Sequence, residues 1–160
     1  MARLYLDRDL NRLLGVLLAL RGHDVLIAVD DPARRELPDA VHLLDAASAG
    51  RIFLTQSQDD FLVLHQALAH WSRRWGISVR SAGIIIVDIF AMGDTPAVAS
   101  ALDTALRSGW SCGEAVWRYN HQHVGSVVSK AVACALRMTG LLRQRQPRLI
   151  RTPGIELVHP

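Results

Sequence analysis

Residues 51–65 read RIFLTQSQDDFLVLH, and this stretch decides how the rest of the chain is read. Ile52-Phe53-Leu54 is a short apolar run that ends at Thr55, the pattern of a buried strand. A polar turn follows and delivers two acids, Asp59 and Asp60. Phe61, Leu64, Leu68 and Trp71 then recur at helical spacing, so an amphipathic helix runs toward Gly76. Carboxylates just past a core strand have two explanations. They cap the coming helix, or they hold a metal ion.

The same alternation extends in both directions. ARLYLD is a strand ending at Asp7. DLNRLLGVLLALRG is a helix with Leu10, Leu13, Leu14, Leu17, Leu18 and Leu20 on its apolar side, Asp9 as N-cap and Gly22 as its stop. HDVLIAVDD is a second buried strand, punctuated by Asp30-Asp31-Pro32. LPDAVHLLDAASAG is a helix opened by Pro38 and Asp39 and closed by Gly50. AGIIIVDIF is a fourth strand, apolar on both faces as parallel-sheet centres are. DTPAVASALDTALRSG is a helix capped by Asp94 or Thr95, VGSVVSKAVACALRMTGLLRQRQ is another, and RLIRTPGIELVHP is irregular with room for a short strand. Strand–helix repetition of this kind builds a parallel sheet with right-handed crossovers. The expected fold is three-layer α/β/α with a parallel central sheet over residues 1–92, and a helical C-terminal part over 93–160 packed on the same domain.

The 160 residues are enough to bury a core, and half of them are hydrophobic. The opening MARLYLDRDLNRLL carries charge throughout, which argues against a secretory leader. Lys130 and Arg137 interrupt the most apolar later stretch, which argues against a membrane span. Cys112 and Cys134 make neither a disulfide framework nor a zinc site by themselves and read as free thiols of a reducing cytosol. The net charge is +3, but it is divided: residues 1–60 carry −3, residues 61–120 carry +1 and residues 121–160 carry +5. An acidic front and a basic tail suit a metal site beside a phosphate-binding surface; a solvated helix with a basic end gives the same numbers. Neither a G-x-G-x-x-G loop nor a P-loop is present.

Parallel sheets bind ligands at the carboxyl ends of their strands. Asp7, Asp9, Asp39 and Asp60 all fall at element ends on that edge. Converging carboxylates repel one another unless a hard cation such as Mg²⁺ or Mn²⁺ neutralises them. Taken singly, Asp9 and Asp39 are better explained as helix caps than as metal ligands; Asp7, directly after a core strand, is harder to explain as a cap.

The ordered set LYLDRDL, RGHDVL, PDAVHLL, AGRIFLTQSQDDFLVLH and AGIIIV, over residues 2–88, resembles the PIN-like proteins of the DUF5615 type, relatives of the PIN-domain ribonucleases that serve as toxins of toxin–antitoxin pairs. The resemblance implies a PIN-like fold and a Mg²⁺- or Mn²⁺-dependent endoribonuclease. Asp7, Asp39 and Asp60 match its metal-binding acids, with Asp9 supporting and Thr55 at the strand end. It also implies RNA as substrate and a cognate antitoxin protein as partner. On that reading Arg137, Arg143, Arg145 and Arg148 hold the RNA backbone, and the protein is cytoplasmic. Two positions depart from the pattern: Arg8 stands where the family has Glu, and Ser57 where it has Asn or Asp. Both weaken the expectation of nuclease activity and open an alternative, a catalytically weakened PIN-like module that binds RNA or a protein partner. Segment 126–142 reads as a core helix or as a homodimer face.

Other residues carry weaker signals. His121 and His123 are spaced for a metal on a strand, but surface histidines share that spacing. His65 reads as a helix-packing residue, and His23 as a packing or hydrogen-bonding residue where the second strand starts. Trp71 and Trp75 flank Arg73 and Arg74, which suits stacking on RNA bases; the simpler expectation is a helix end packed on the core.

Overall fold

The fold follows from strands that are apolar on both faces. In the computed structural model, residues 1–76, 79–87, 94–108, 116–119 and 155–158 are described. Strands β1 (Arg3–Leu6), β2 (Asp24–Ile27), β3 (Ile52–Thr55), β4 (Ile84–Val87), β5 (Val116–Tyr119) and β6 (Ile155–Val158) form one sheet in the order β2-β1-β3-β4-β5-β6. The first five are parallel, and β6 runs antiparallel along the edge of β5.

Successive strand residues point to opposite faces, so each central strand feeds two cores. Leu4, Leu6, Leu54, Ile85 and Val87 pack under helices α1 (Arg12–Leu20) and α5 (Thr95–Arg107). Tyr5, Phe53, Ile84 and Ile86 pack under α3 (Asp39–Ser48) and α4 (Gln58–Trp75). The result is an α/β sandwich of three layers. Tyr5, Phe53 and Phe61 form an aromatic row at the centre of the second core, with ring centroids 5.5 and 4.6 Å apart. On the first face α1 lies close to the sheet at Gly15. A Cβ there would sit 2.7 Å from Ile27 Cδ1 and 3.0 Å from Leu6 Cδ2.

The amino edge of the sheet is tied by charge. Arg51 donates to the backbone oxygens of Leu4 and Asp24, and its guanidinium lies 2.9 Å from the Asp24 carboxylate. His23, at the start of β2, pairs with Asp103 of α5 at 2.8 Å and takes the Ala2 N–H on its other ring nitrogen. Among the described residues no helix is long and apolar enough to cross a membrane.

Several expectations need correction. Asp9 does not cap the first helix; α1 begins later, and Asn11 accepts the Leu13 N–H at 2.9 Å. Leu13 and Leu20 face solvent rather than the core. The second strand ends at Ile27 and passes into a 3-10 turn and a short helix, α2 (Pro32–Arg35), capped by Asp31. The sequence from residue 93 onward contributes two strands as well as a helix, and β5 is an addition to the expected elements. Asp94 is the cap of α5, accepting from Ala97 N–H at 3.1 Å. The helix expected near 126–142, Cys112, Cys134, His121 and His123 lie outside the described residues.

Phe53 is fully buried between Tyr5 and Phe61. Phe53→Ala is expected to cost about 3–5 kcal/mol, the range for an aromatic deletion that leaves a cavity. Urea denaturation measures it; a loss under about 1 kcal/mol would contradict the packing described.

Candidate functional site

In a sheet of order 2-1-3-4-5 the crossover direction reverses between β1 and β3. The carboxyl ends of those two strands are where such folds bind ligands. Asp7 follows β1 there, and Thr55 ends β3 beside it. The Asp7 N–H continues the ladder by donating to Leu54 O at 2.9 Å. Asp7 is only 1% exposed. One carboxylate oxygen accepts the Thr55 hydroxyl at 2.7 Å, and the other accepts the Arg8 N–H at 2.8 Å. Burial pushes the Asp7 carboxyl above its usual range, against the pull of those two hydrogen bonds.

The network continues outward from Thr55. Its hydroxyl oxygen accepts the Ser57 N–H at 3.0 Å, and the Ser57 hydroxyl donates to Asp60 at 2.8 Å. Ser57 is the N-cap of α4 and Asp60 its third residue, but their side chains bond each other and no side-chain cap hydrogen bond is made among the described residues. Asp59 and Asp60 stand in the first turn, where the helix dipole favours acids, and Asp60 is exposed at the rim.

Asp39 opens α3 across the same edge, and Arg8 reaches it. The Arg8 guanidinium donates to Asp39 at 3.1 Å and to the Leu37 carbonyl at 3.3 Å, and lies 3.9 Å from Asp9. Arg8 does not point away from the acids: it bridges two of them. Side chains about a third exposed on both sides make a pair worth up to about 1 kcal/mol. Its effect on local charge is larger than its effect on stability.

Beneath Asp7 lie two residues that the sequence reading leaves out. Tyr5 points into the α3 side of the sheet, and its hydroxyl is 2.7 Å from His42 Nδ1. His42 is completely buried one turn after Asp39, and its Nε2 makes no hydrogen bond among the described residues. Burial and the nearby Asp45 carboxylate push the Tyr5 hydroxyl up to about 12, so it stays protonated. The signal available in the sequence is the spacing Asp39-x-x-His42, which puts both on one helix face.

The structure thus brings Asp7, Thr55, Ser57 and Asp60 into one chain of hydrogen bonds, and Arg8, Asp9 and Asp39 into one ion-pair cluster. Among the described residues no three acid, histidine or cysteine side chains stand close enough to hold a metal ion together. Both oxygens of Asp7 are in use, and Asp39 is paired with Arg8. All-carboxylate donors have the right chemistry for Mg²⁺ or Mn²⁺, but as arranged they do not fit a preformed three-acid site. Arg137, Arg143, Arg145 and Arg148 lie outside the described residues.

No family model, no curated protein and no solved structure matches this chain.

Asp7 has a pH signature that stability measurements can read. A carboxyl with a raised folded-state pKa binds its proton more tightly folded than unfolded. It therefore destabilises the fold above that pKa, and the penalty fades as pH falls through it toward the unfolded value. Asp7→Asn is expected to melt higher than the parent at pH 7, with the gap closing in acid. Thr55→Val, which strips a hydrogen bond from the buried carboxylate, is expected to lose about 1–3 kcal/mol. Thermal melts across about pH 3–8 test both, and a less stable Asp7→Asn at neutral pH would overturn the assignment of Asp7 as a strained buried anion.

Proposed function

We propose that this chain is a PIN-like module that engages RNA in the cytoplasm and whose acidic edge is neutralised from within, leaving it catalytically weakened. The observation that carries this reading is the Arg8 guanidinium on Asp39, with Asp9 alongside. A cation delivered by the chain itself does there what a divalent ion does in an all-acid cleft: it relieves carboxylate repulsion. The reading draws on the sequence resemblance and on the position of Asp7 and Thr55 at the sheet's switch point. It assigns no catalytic step to the site.

A second reading is the metal-dependent endoribonuclease, the toxin of a toxin–antitoxin pair, with Asp7, Asp39 and Asp60 as ligands to Mg²⁺ or Mn²⁺. What favours it is Asp7 itself. A buried carboxylate held above its usual range is a common mark of a functional group, and neither packing nor capping requires one.

A Mn²⁺ titration of the protein and of Arg8→Gln separates the two. The proposal expects no binding to the parent below millimolar metal and measurable binding to the variant. A mixed RNA panel that includes tRNA, run with Mn²⁺, with EDTA and with Asp60→Asn, should show no metal-dependent cleavage by the parent. Tight Mn²⁺ binding, with cleavage that disappears in EDTA and in Asp60→Asn, would overturn the proposal and install the nuclease.

A further inference from the structure

At the far end of α4 the chain presents two tryptophans to solvent. Trp71 is 45% exposed and Trp75 66% exposed, so the expectation that they pack on the core is corrected. The two indoles lie one turn apart and stack on one another, with ring centroids 6.1 Å apart and planes inclined by 23°. Exposed aromatic pairs of this size are uncommon on a soluble surface and mark recognition sites. Arg74, at i+3 from Trp71, borders the pair on one side.

The charge around the pair identifies the occupant. From residue 61 to residue 87 the chain has Arg73, Arg74 and Arg80 and not one Asp or Glu. Arg73 and Arg74 make no ion pair among the described residues, whereas Arg3, Arg8, Arg12, Arg34, Arg51 and Arg107 do, and Arg21 and Arg35 are held on backbone carbonyls. Around the helix end from the tryptophans, a cleft of about 260 Å³ is lined by Arg73, Arg80, Ser72 and Ser81 and floored by Leu68 and Val79. A small open cleft with two guanidinium groups suits a phosphodiester better than an apolar ligand. Flat aromatic faces beside Arg74, with Arg73 on the flank that lines the cleft, fit a chain of bases on an anionic backbone.

We infer that the carboxyl-terminal end of α4 is a stacking platform for single-stranded nucleic acid: Trp71 and Trp75 carry bases, and Arg73, Arg74 and Arg80 carry phosphates. This surface is about 16 Å along the helix from Asp60, eleven residues at about 1.5 Å each. It is therefore separate from the acidic edge and stands whichever way the Arg8 question is answered. The apolar stripe of Phe61, Leu64, Leu68, Trp71 and Trp75 runs on past the edge of the core, and the arginines and the absence of any acid around its end favour an anionic occupant over an apolar partner helix.

Fluorescence anisotropy of a labelled short oligouridylate, titrated with the full chain in EDTA, tests this. EDTA keeps any metal-dependent cleavage silent, so a failed nuclease reading and a failed platform are distinguishable. Binding is expected for the parent, weakened about tenfold or more in Trp71→Ala/Trp75→Ala and largely retained in Trp71→Phe/Trp75→Phe. An abasic ribose-phosphate oligomer of equal length should bind as weakly as the alanine variant does to oligouridylate. Arg73→Ala/Arg74→Ala should reduce the salt dependence, by about 0.7 in the logarithmic slope for each phosphate no longer neutralised. The tryptophans are exposed, so the alanine variant should fold; an unchanged melting curve verifies it. Undiminished binding in Trp71→Ala/Trp75→Ala, no binding by the parent, or binding of anionic phosphatidylserine vesicles without oligonucleotide would each overturn the inference.

Discussion

One hydrogen bond, from the Thr55 hydroxyl to the Asp7 carboxylate, holds together the place where this sheet changes direction. It joins the ends of β1 and β3, the two strands on either side of the switch point. Everything at that edge is hung from it. The Asp7 backbone extends the ladder to Leu54, its other oxygen fixes the Arg8 N–H, and Thr55 passes the order on to Ser57 and the start of α4. A buried anion is an expensive way to fasten two strands. A valine and a leucine there would pack with less cost, so the carboxylate calls for an explanation beyond architecture.

The answer offered by the rest of the molecule is electrostatic. Several acids near strand ends are met by an arginine of the chain: Asp24 by Arg51 and Arg3, Asp30 by Arg12, Asp39 by Arg8. The first two acids are held below the usual carboxylate range by their arginine partners. Asp7 differs: its charge is met by hydrogen bonds and not by a guanidinium. Arg73 and Arg74, at the other end of α4, lie in a stretch that holds no acid at all. Arg8 thus offsets Asp39 at the acidic edge, while Arg73 and Arg74 make no ion pair among the described residues.

Much of this is legible in the sequence, for physical reasons that differ by element. β1, β3 and β4 are unbroken apolar runs, and only a doubly covered parallel strand buries both of its faces. The junction of Asp7 with Thr55 follows once both are placed at carboxyl ends. The start of α1 is not legible, because Asp7, Asp9 and Asn11 are all competent caps and the choice is made by how Leu10, Leu14 and Leu18 meet the sheet. β5 is hidden because VWRY is four residues long and carries an arginine. The direction taken by Arg8 and the meeting of Tyr5 with His42 join segments about 30 or more residues apart, which no local pattern encodes. The tryptophans mislead because helical spacing puts Trp71 on the apolar stripe, while the helix runs past the edge of the core before its stripe ends.

The most direct test of the central claim, that Arg8 supplies the charge a metal would otherwise bring, is a crystal soaked in Mn²⁺ and measured at a wavelength where manganese scatters anomalously. The account predicts no anomalous peak among Asp7, Asp39 and Asp60, with the Arg8 guanidinium still on Asp39. A manganese peak bridging those carboxylates, with Arg8 swung out to solvent, would contradict it.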